Sequence, residues 1–336
     1  MSVRLFILSA GFLVAAVLLR AATFAESFAA EPGARGWKSF GDPTLFHWNA
    51  TNQNLEVIWD SSRSNSFFHL PLGTIVSKSD DFSFAFDLRM ADIAIGTSSH
   101  KPYTFEIALG LLNFQNATNT NYFRGTGQSQ GYGVRNVVEF DYFPATVNVT
   151  PTFAPTVISS NVLVKFSDNH PLELTPNDLF HIALSYTASN QLLKTSVTRN
   201  GLPYGLAPSN TLKDLSLTNH PDFRVDRLAI VNYSDALQAG STQFWGSVLA
   251  HGTVDNLLLM VPDAPVVGFT GFKSNSIWRG VFTGRTNWFY ALERTRDLVT
   301  WNGVSPTNGG TDGLLRLVDT NAPAGRAFYR VQALKP

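Results

Sequence analysis

Between Phe82 and Met90 every second residue is large and apolar: Phe82, Phe84, Phe86, Leu88 and Met90 alternate with Ser83, Ala85, Asp87 and Arg89. A period of two places the five apolar chains on one face of a β-strand and the polar ones on the other. The same alternation returns at Phe180, Ile182, Leu184 and Tyr186, and helical periodicity is almost missing, one turn at Asp235–Ala239 excepted. A chain with this pattern has no helices to cover its sheets, so sheets must cover one another. The expectation is an all-β, antiparallel two-sheet sandwich.

The strands follow from the same reading. Thr23–Phe28, Leu55–Trp59, Phe67–Leu70, Phe82–Met90, Tyr103–Leu112 and Val134–Phe143 make the first half, with Pro71 expected to stop the third. Asn161–Phe166, Phe180–Thr187, Gln191–Arg199, Arg224–Tyr233 and Thr253–Val261 make the second. Asn200-Gly201 predicts a tight hairpin, because both positions tolerate positive φ. The segments 113–133 and 144–155, rich in Asn, Gly, Thr and Pro, read as loops. Val261-Pro-Asp-Ala-Pro265 marks a boundary, and beyond it about six short strands suggest a small immunoglobulin-like β-sandwich. The expected divisions are 1–22, 23–261 and 262–336.

Residues 1–22 carry the marks of a leader. Arg4 precedes an apolar run, Leu5–Leu19, and small residues follow at Ala21, Ala22 and Ala25. This is the pattern of a secretory signal peptide, and the run is short of the roughly 20 residues that span a bilayer. The protein is therefore expected to be secreted or at the cell surface, with no membrane span after cleavage behind Ala22 or Ala25. Charged residues make up 15% of the chain, against roughly 25% in typical soluble domains, and the formal net charge is zero. Scattered Lys and Arg give no nucleic-acid footprint. With no cysteine, thiol catalysis, zinc–thiolate sites and disulfides are excluded.

The strand VRNVVEFDYF at 134–143 carries two carboxylates, Glu139 and Asp141, on the face opposite Val138, Phe140 and Tyr142. Its polar face is expected to be solvated. Gly127-Gln-Ser-Gln-Gly131 matches a nucleophile elbow in letters only, since it lies in a glycine-rich loop leading into a strand. The seven histidines show no metal spacing, and His181 and His251 read as structural. Trp48, Trp59, Tyr122 and Tyr132 lie in or beside loops, where aromatic rings can stack on sugars while Asn, Gln and Arg bind hydroxyls.

From about Thr23 to Val261 the chain resembles the concanavalin A-like lectin/glucanase jelly rolls, on VVEFDYF at 137–143, HIALSYTASNQLLKTSVTRNG at 181–201 and HGTVDNLLL at 251–259. The tail, with WFYALERTRDLVTW at 288–301 and AFYRVQ at 327–332, resembles the small C-terminal β-domain of exported Verrucomicrobia-type bacterial proteins. The first resemblance implies two readings of Glu139 and Asp141 and one of a second acidic pair. In legume lectins an E-x-D strand begins a metal site, which makes these two the candidate ligands of a calcium ion. Phe143 suits that pattern, whereas Ala145, Thr150 and Pro155 stand where Asn, Asp and His belong. In laminarinase-type glycosidases E-x-D is followed by a further carboxylate, and Phe143 and Pro144 stand there instead. Glu26 and Asp255 occupy places comparable to a structural calcium site in sandwich carbohydrate-binding modules, although the residues themselves read first as surface carboxylates. No catalytic residue is therefore expected and no cofactor is required, calcium being the one ion the acidic pair suits. The expected function is non-catalytic binding of an extracellular glycan or cell-surface polysaccharide through Trp48, Trp59, Tyr122 and Tyr132. The alternatives are a structural or adhesive surface protein without a small ligand, and a degenerate glycoside hydrolase.

Overall fold

The computed structural model describes residues 21–95, 106–120, 134–145, 150–161, 164–166, 170–205, 220–234 and 247–335. The leader, Tyr122, Tyr132 and the 127–131 motif lie outside them. Two compact units are separated at Ala264/Pro265.

The larger unit is a sandwich of two antiparallel sheets. The first runs Leu202–Pro203, Leu192–Arg199, Phe180–Thr187, Phe82–Ile95, Val248–Pro262, Asn54–Asp60, Phe46–Asn49, and Ala21–Glu26 adds to the second half of Val248–Pro262. The second runs Val164–Phe166, Thr152–Ile158, Val137–Phe143, Ile107–Leu112, Arg224–Asn232, Ser66–Ser77, Lys38–Phe40, and His170–Pro171 adds to Thr152–Ile158. The core lies between them. Phe84, Phe86 and Met90 of the first sheet are at most 1% exposed, and Phe86 meets Phe140 of the second edge-on at 5.9 Å. Asn200 and Gly201 take φ of 51° and 81°, so the hairpin forms for the stated reason.

Three local expectations give way to the structure. Pro71 does not end its strand: Ser66–Ser77 continues through it, with a register shift between Val225 and Arg227 on the partner strand. A bulge there absorbs the missing amide donor. The segment 144–155 is not wholly loop, since Thr152–Ile158 is a strand containing Pro155. Pro155 pairs with Phe140, and on its other side the partner changes from Val164–Phe166 to His170–Pro171. A proline fits where ladder bonding is interrupted. Finally, Asn136 has φ 59°, so the strand expected at Val134–Phe143 starts at Val137, one helical turn forms at Phe114–Ala117, and Asn136 ties the two by donating to Asn116 at 2.7 Å. No described helix is long and apolar enough to cross a membrane.

The smaller unit has a three-stranded sheet, Val267–Ser274, Ile277–Thr283 and Leu314–Asp319. A second sheet is built on Phe289–Thr295, paired with Asn302–Gly303, Asn308–Gly309 and Phe328–Leu334. Phe282, Tyr290, Leu292 and Leu317 fill its centre, and Trp278 stacks on Tyr329 at 3.9 Å.

Candidate functional site

Strand Val137–Phe143 lies between Ile107–Leu112 and Thr152–Ile158. With Phe140 turned inward, Glu139 and Asp141 belong to the outer face of the second sheet. The expected solvation is not found: Glu139 is 1% exposed and Asp141 0%. The residues opposite them are small. Gly110 and Thr156 flank Glu139, while Ala108 and Ala154 flank Asp141. A Cβ on Gly110 would come within 2.4 Å of the Glu139 Cα, so only glycine permits this approach.

A third carboxylate joins them. Glu106, 3% exposed, stands just before Ile107–Leu112, and ligand oxygens of Glu106, Glu139 and Asp141 all lie within 4.8 Å of one another. Tyr233 donates to Glu139 Oε2 at 2.7 Å, and Thr156 Oγ1 donates to Asp141 Oδ2 at 2.5 Å. Like charges held this close and away from water require compensation by protons, donors or a cation. The set fits a hard divalent cation. Calcium takes oxygen ligands at about 2.3–2.6 Å, so oxygens on opposite sides of it stand roughly 5 Å apart, and three carboxylates offer up to six such atoms. Glu106 thus adds, from upstream of the motif, a third carboxylate to the pair. Glu106 lies inside the strand expected at Tyr103–Leu112, where alternation puts it on one face with Ala108 and Gly110 but names no partner on the next strand.

Beside this cluster the same face carries aromatic rings. Phe67 meets Tyr233 edge-on at 6.3 Å, Phe40 stacks on Phe67 at 5.7 Å, and Phe114 lies 4.5 Å from the His69 ring. His69 is 3% exposed, and burial, then the charges of Arg227 and Lys38, push its pKa down to about 4. It is a neutral imidazole at physiological pH.

The sequence-predicted aromatic residues are not gathered here. Trp59 is 2% exposed and sits in the core of the sandwich, so burial leaves its ring no face for a sugar. Trp48, on the edge strand of the first sheet, packs partly against the core and donates its indole N–H to the Phe28 carbonyl at 2.8 Å. Tyr122 and Tyr132 lie outside the described residues. Glu26 is 1% exposed and is engaged by the Phe28 amide, Arg35 and Trp37 Nε1. Asp255 stands opposite Asp87 across the ladder; burial raises its pKa, and the charges of Asp87 and Glu26 add to the rise. His181 and His251 contact Asp87 and Asp92 at 2.7 and 2.8 Å.

No protein-family model matches the chain, and no curated protein matches it. Solved structures similar to it include peanut lectin with a 9mer peptide, at 14% identity and TM-score 0.45, covering 73% of this chain and 100% of that one. Lectin UEA-II complexed with galactose is similar at 10% identity and TM-score 0.47, covering 72% and 99%. The lectin I of Ulex europaeus, in complex with the methyl glycoside of α-L-fucose, is similar at 12% identity and TM-score 0.44, covering 72% and 98%.

Proposed function

We propose that the chain is an exported, non-catalytic, lectin-like protein that binds an extracellular glycan. Binding takes place on the outer face of the second sheet, beside the carboxylates of Glu106, Glu139 and Asp141. The observation that carries the reading is their burial. At 0–3% exposed they are placed to hold a cation beneath a surface, not to meet a glycosidic oxygen. A calcium ion there would neutralise the cluster and fix the ends of the strands that bear it. Segments 113–133 and 144–151 adjoin those strands in sequence, and the first contains Tyr122 and Tyr132. Export rests on the leader. Cleavage behind Ala22 leaves the pairing of Thr23–Glu26 with Leu257–Met260 whole, whereas cleavage behind Ala25 removes nearly all of it.

A glycan array or polysaccharide pull-down, run with calcium and with chelator, tests the reading. Binding that needs calcium and disappears in Tyr122→Ala or Tyr132→Ala is the expected result; silence across diverse glycans rejects it.

Glu106 favours one other reading, a retaining glycoside hydrolase. That chemistry needs two carboxyl groups about 5–5.5 Å apart, and the upstream glutamate supplies the partner that the E-x-D motif lacks. Release of reducing ends from a glucan, lost in both Glu139→Gln and Glu106→Gln, would establish hydrolysis in place of binding alone.

A further inference from the structure

The first sheet has a cleft on its own outer face. Four strands make its floor, and one register row crosses them: His47 pairs with Glu56, Glu56 with Thr253, and Thr253 with Arg89. Neighbouring strands lie about 4.8 Å apart, so the row spans roughly 14 Å. Outer sheet faces are ordinarily open, but this one is made concave by three features. The short helix Pro43–Leu45 overhangs one end, and Asn177 overhangs the other. Between them the ladder slips at His251/Gly252, leaving Ala91 unpaired as a bulge. The enclosed volume is about 320 Å3, the size of a small-molecule site.

Its chemistry is specific. Ile58, which alternates onto the outer face with Glu56, gives an apolar patch, and Glu56, Thr253, Arg89 and His47 supply polar groups around it. Arg89 is positioned: its Nη1 donates to the Asn177 carbonyl at 2.5 Å, and the Asn177 amide donates to the Met90 carbonyl at 2.7 Å. Asn177 has φ 67°, a turn that carries its carbonyl to the guanidinium. Among the described residues no carboxylate lies within ion-pair reach of Arg89, so its other donors face the cleft unneutralised. Glu56 takes one hydrogen bond, from Asn49 at 2.6 Å to Oε1, and keeps Oε2 for a ligand. His251 is occupied at Nδ1 by Asp92 and presents its other nitrogen.

We propose that this cleft binds a neutral pyranose unit. One guanidinium and one carboxylate face each other across Thr253, so an anionic ligand would meet Glu56 and a cationic one Arg89. A ring bearing only hydroxyl groups accepts from Arg89 and donates to Glu56 without leaving either charge opposed. Its C–H face rests on Ile58. This site lies on the opposite sheet from the Glu139 cluster, shares no residue with it, and stands whether or not that cluster serves a glycan.

The test is titration of the full chain with methyl α-glucoside, methyl α-galactoside and methyl α-mannoside, read by saturation-transfer NMR and calorimetry, with glucuronate and glucosamine as charged comparators. At least one neutral glycoside should bind saturably, and more tightly than either comparator. Arg89→Ala and Glu56→Gln should each weaken it by about tenfold or more, as loss of a charged hydrogen bond does. Phe272→Ala, at an exposed residue of the smaller unit, should leave it unchanged. All three positions of the row that matter are at the surface, and Thr253→Val serves as a further variant if either of the first two lowers the melting temperature. Absence of binding to all three glycosides overturns the proposal. So does binding that Arg89→Ala and Glu56→Gln leave intact, or tighter binding of a charged comparator. Binding that disappears only in Glu139→Gln assigns the glycan to the other sheet and also rejects this site.

Discussion

Glu106, one residue before the strand Ile107–Leu112, and Glu139, on the neighbouring strand Val137–Phe143, have ligand oxygens within 4.8 Å of each other, and both are buried. Two carboxylates in that relation, with Asp141 as a third, are held together only by something that offsets their charge. A bound calcium ion stabilises the fold by its affinity for the native state alone. At a concentration one hundred times the dissociation constant this is about 2.7 kcal/mol, or roughly 5–10 °C in melting temperature for a domain of this size. Differential scanning calorimetry with calcium and with chelator should show that shift in the native chain and none in Glu106→Gln. Equal melting temperatures in both conditions reject the ion.

Gly110 should tolerate no side chain. An added Cβ would fall 2.4 Å from both the Glu139 Cα and the Val138 carbonyl oxygen, which are backbone atoms of a central strand. Gly110→Ala should cost about 3 kcal/mol or more, at the upper end of overpacking effects, measured as a lowered urea midpoint or as insoluble expression.

Acid should weaken the sandwich through His69. Its pKa is lowered from 6.5 to about 4 in the folded chain, so between those values the unfolded state binds the proton and the folded state does not. Stability is therefore fully present above about pH 6.5, falls as the pH drops towards 4, and loses at most about 3 kcal/mol over the window. His69→Leu should flatten this limb of the stability–pH curve. An unchanged slope in the variant would assign the acid sensitivity to other groups.

Trp59 and Tyr132 should separate stability from binding. Trp59→Ala removes a large ring from the core and should cost about 3–5 kcal/mol. Tyr132→Ala should reduce glycan retention on a polysaccharide column while leaving the melting temperature within about 1 °C. The opposite pattern would place Tyr132 among the structural rings.

The alternation at 82–90 and 180–186, and the Asn-Gly hairpin, were legible because each is a local property of a few residues that the sandwich does not contradict. The failures are equally specific. Pro71 and Pro155 read as strand breakers, yet each sits where the ladder is already irregular, and that irregularity belongs to the neighbouring strand. Glu139 and Asp141 were legible as an outward-facing acidic pair, but their burial was not, because alternation reports a side chain's direction and says nothing of what lies over it. Glu106 was invisible as their partner for a related reason. Its relation to Glu139 exists only through strand pairing, and no spacing within either segment encodes it. Trp59 misled in the reverse sense, since an aromatic ring beside a polar turn can equally be the last inward residue of its strand.

The strand Val248–Pro262 is the last of its sandwich in the chain and lies inside the first sheet, between Phe82–Ile95 and Asn54–Asp60, with Ala21–Glu26 along its far half. Until a growing polypeptide has been made to residue 262, three of its earlier segments have no partner on one side. Contacts this distant along the chain slow folding and leave pairing edges open meanwhile. The architecture thus withholds the last partner of the first sheet until residue 262 has been made, so the sandwich closes late however early its other strands pair.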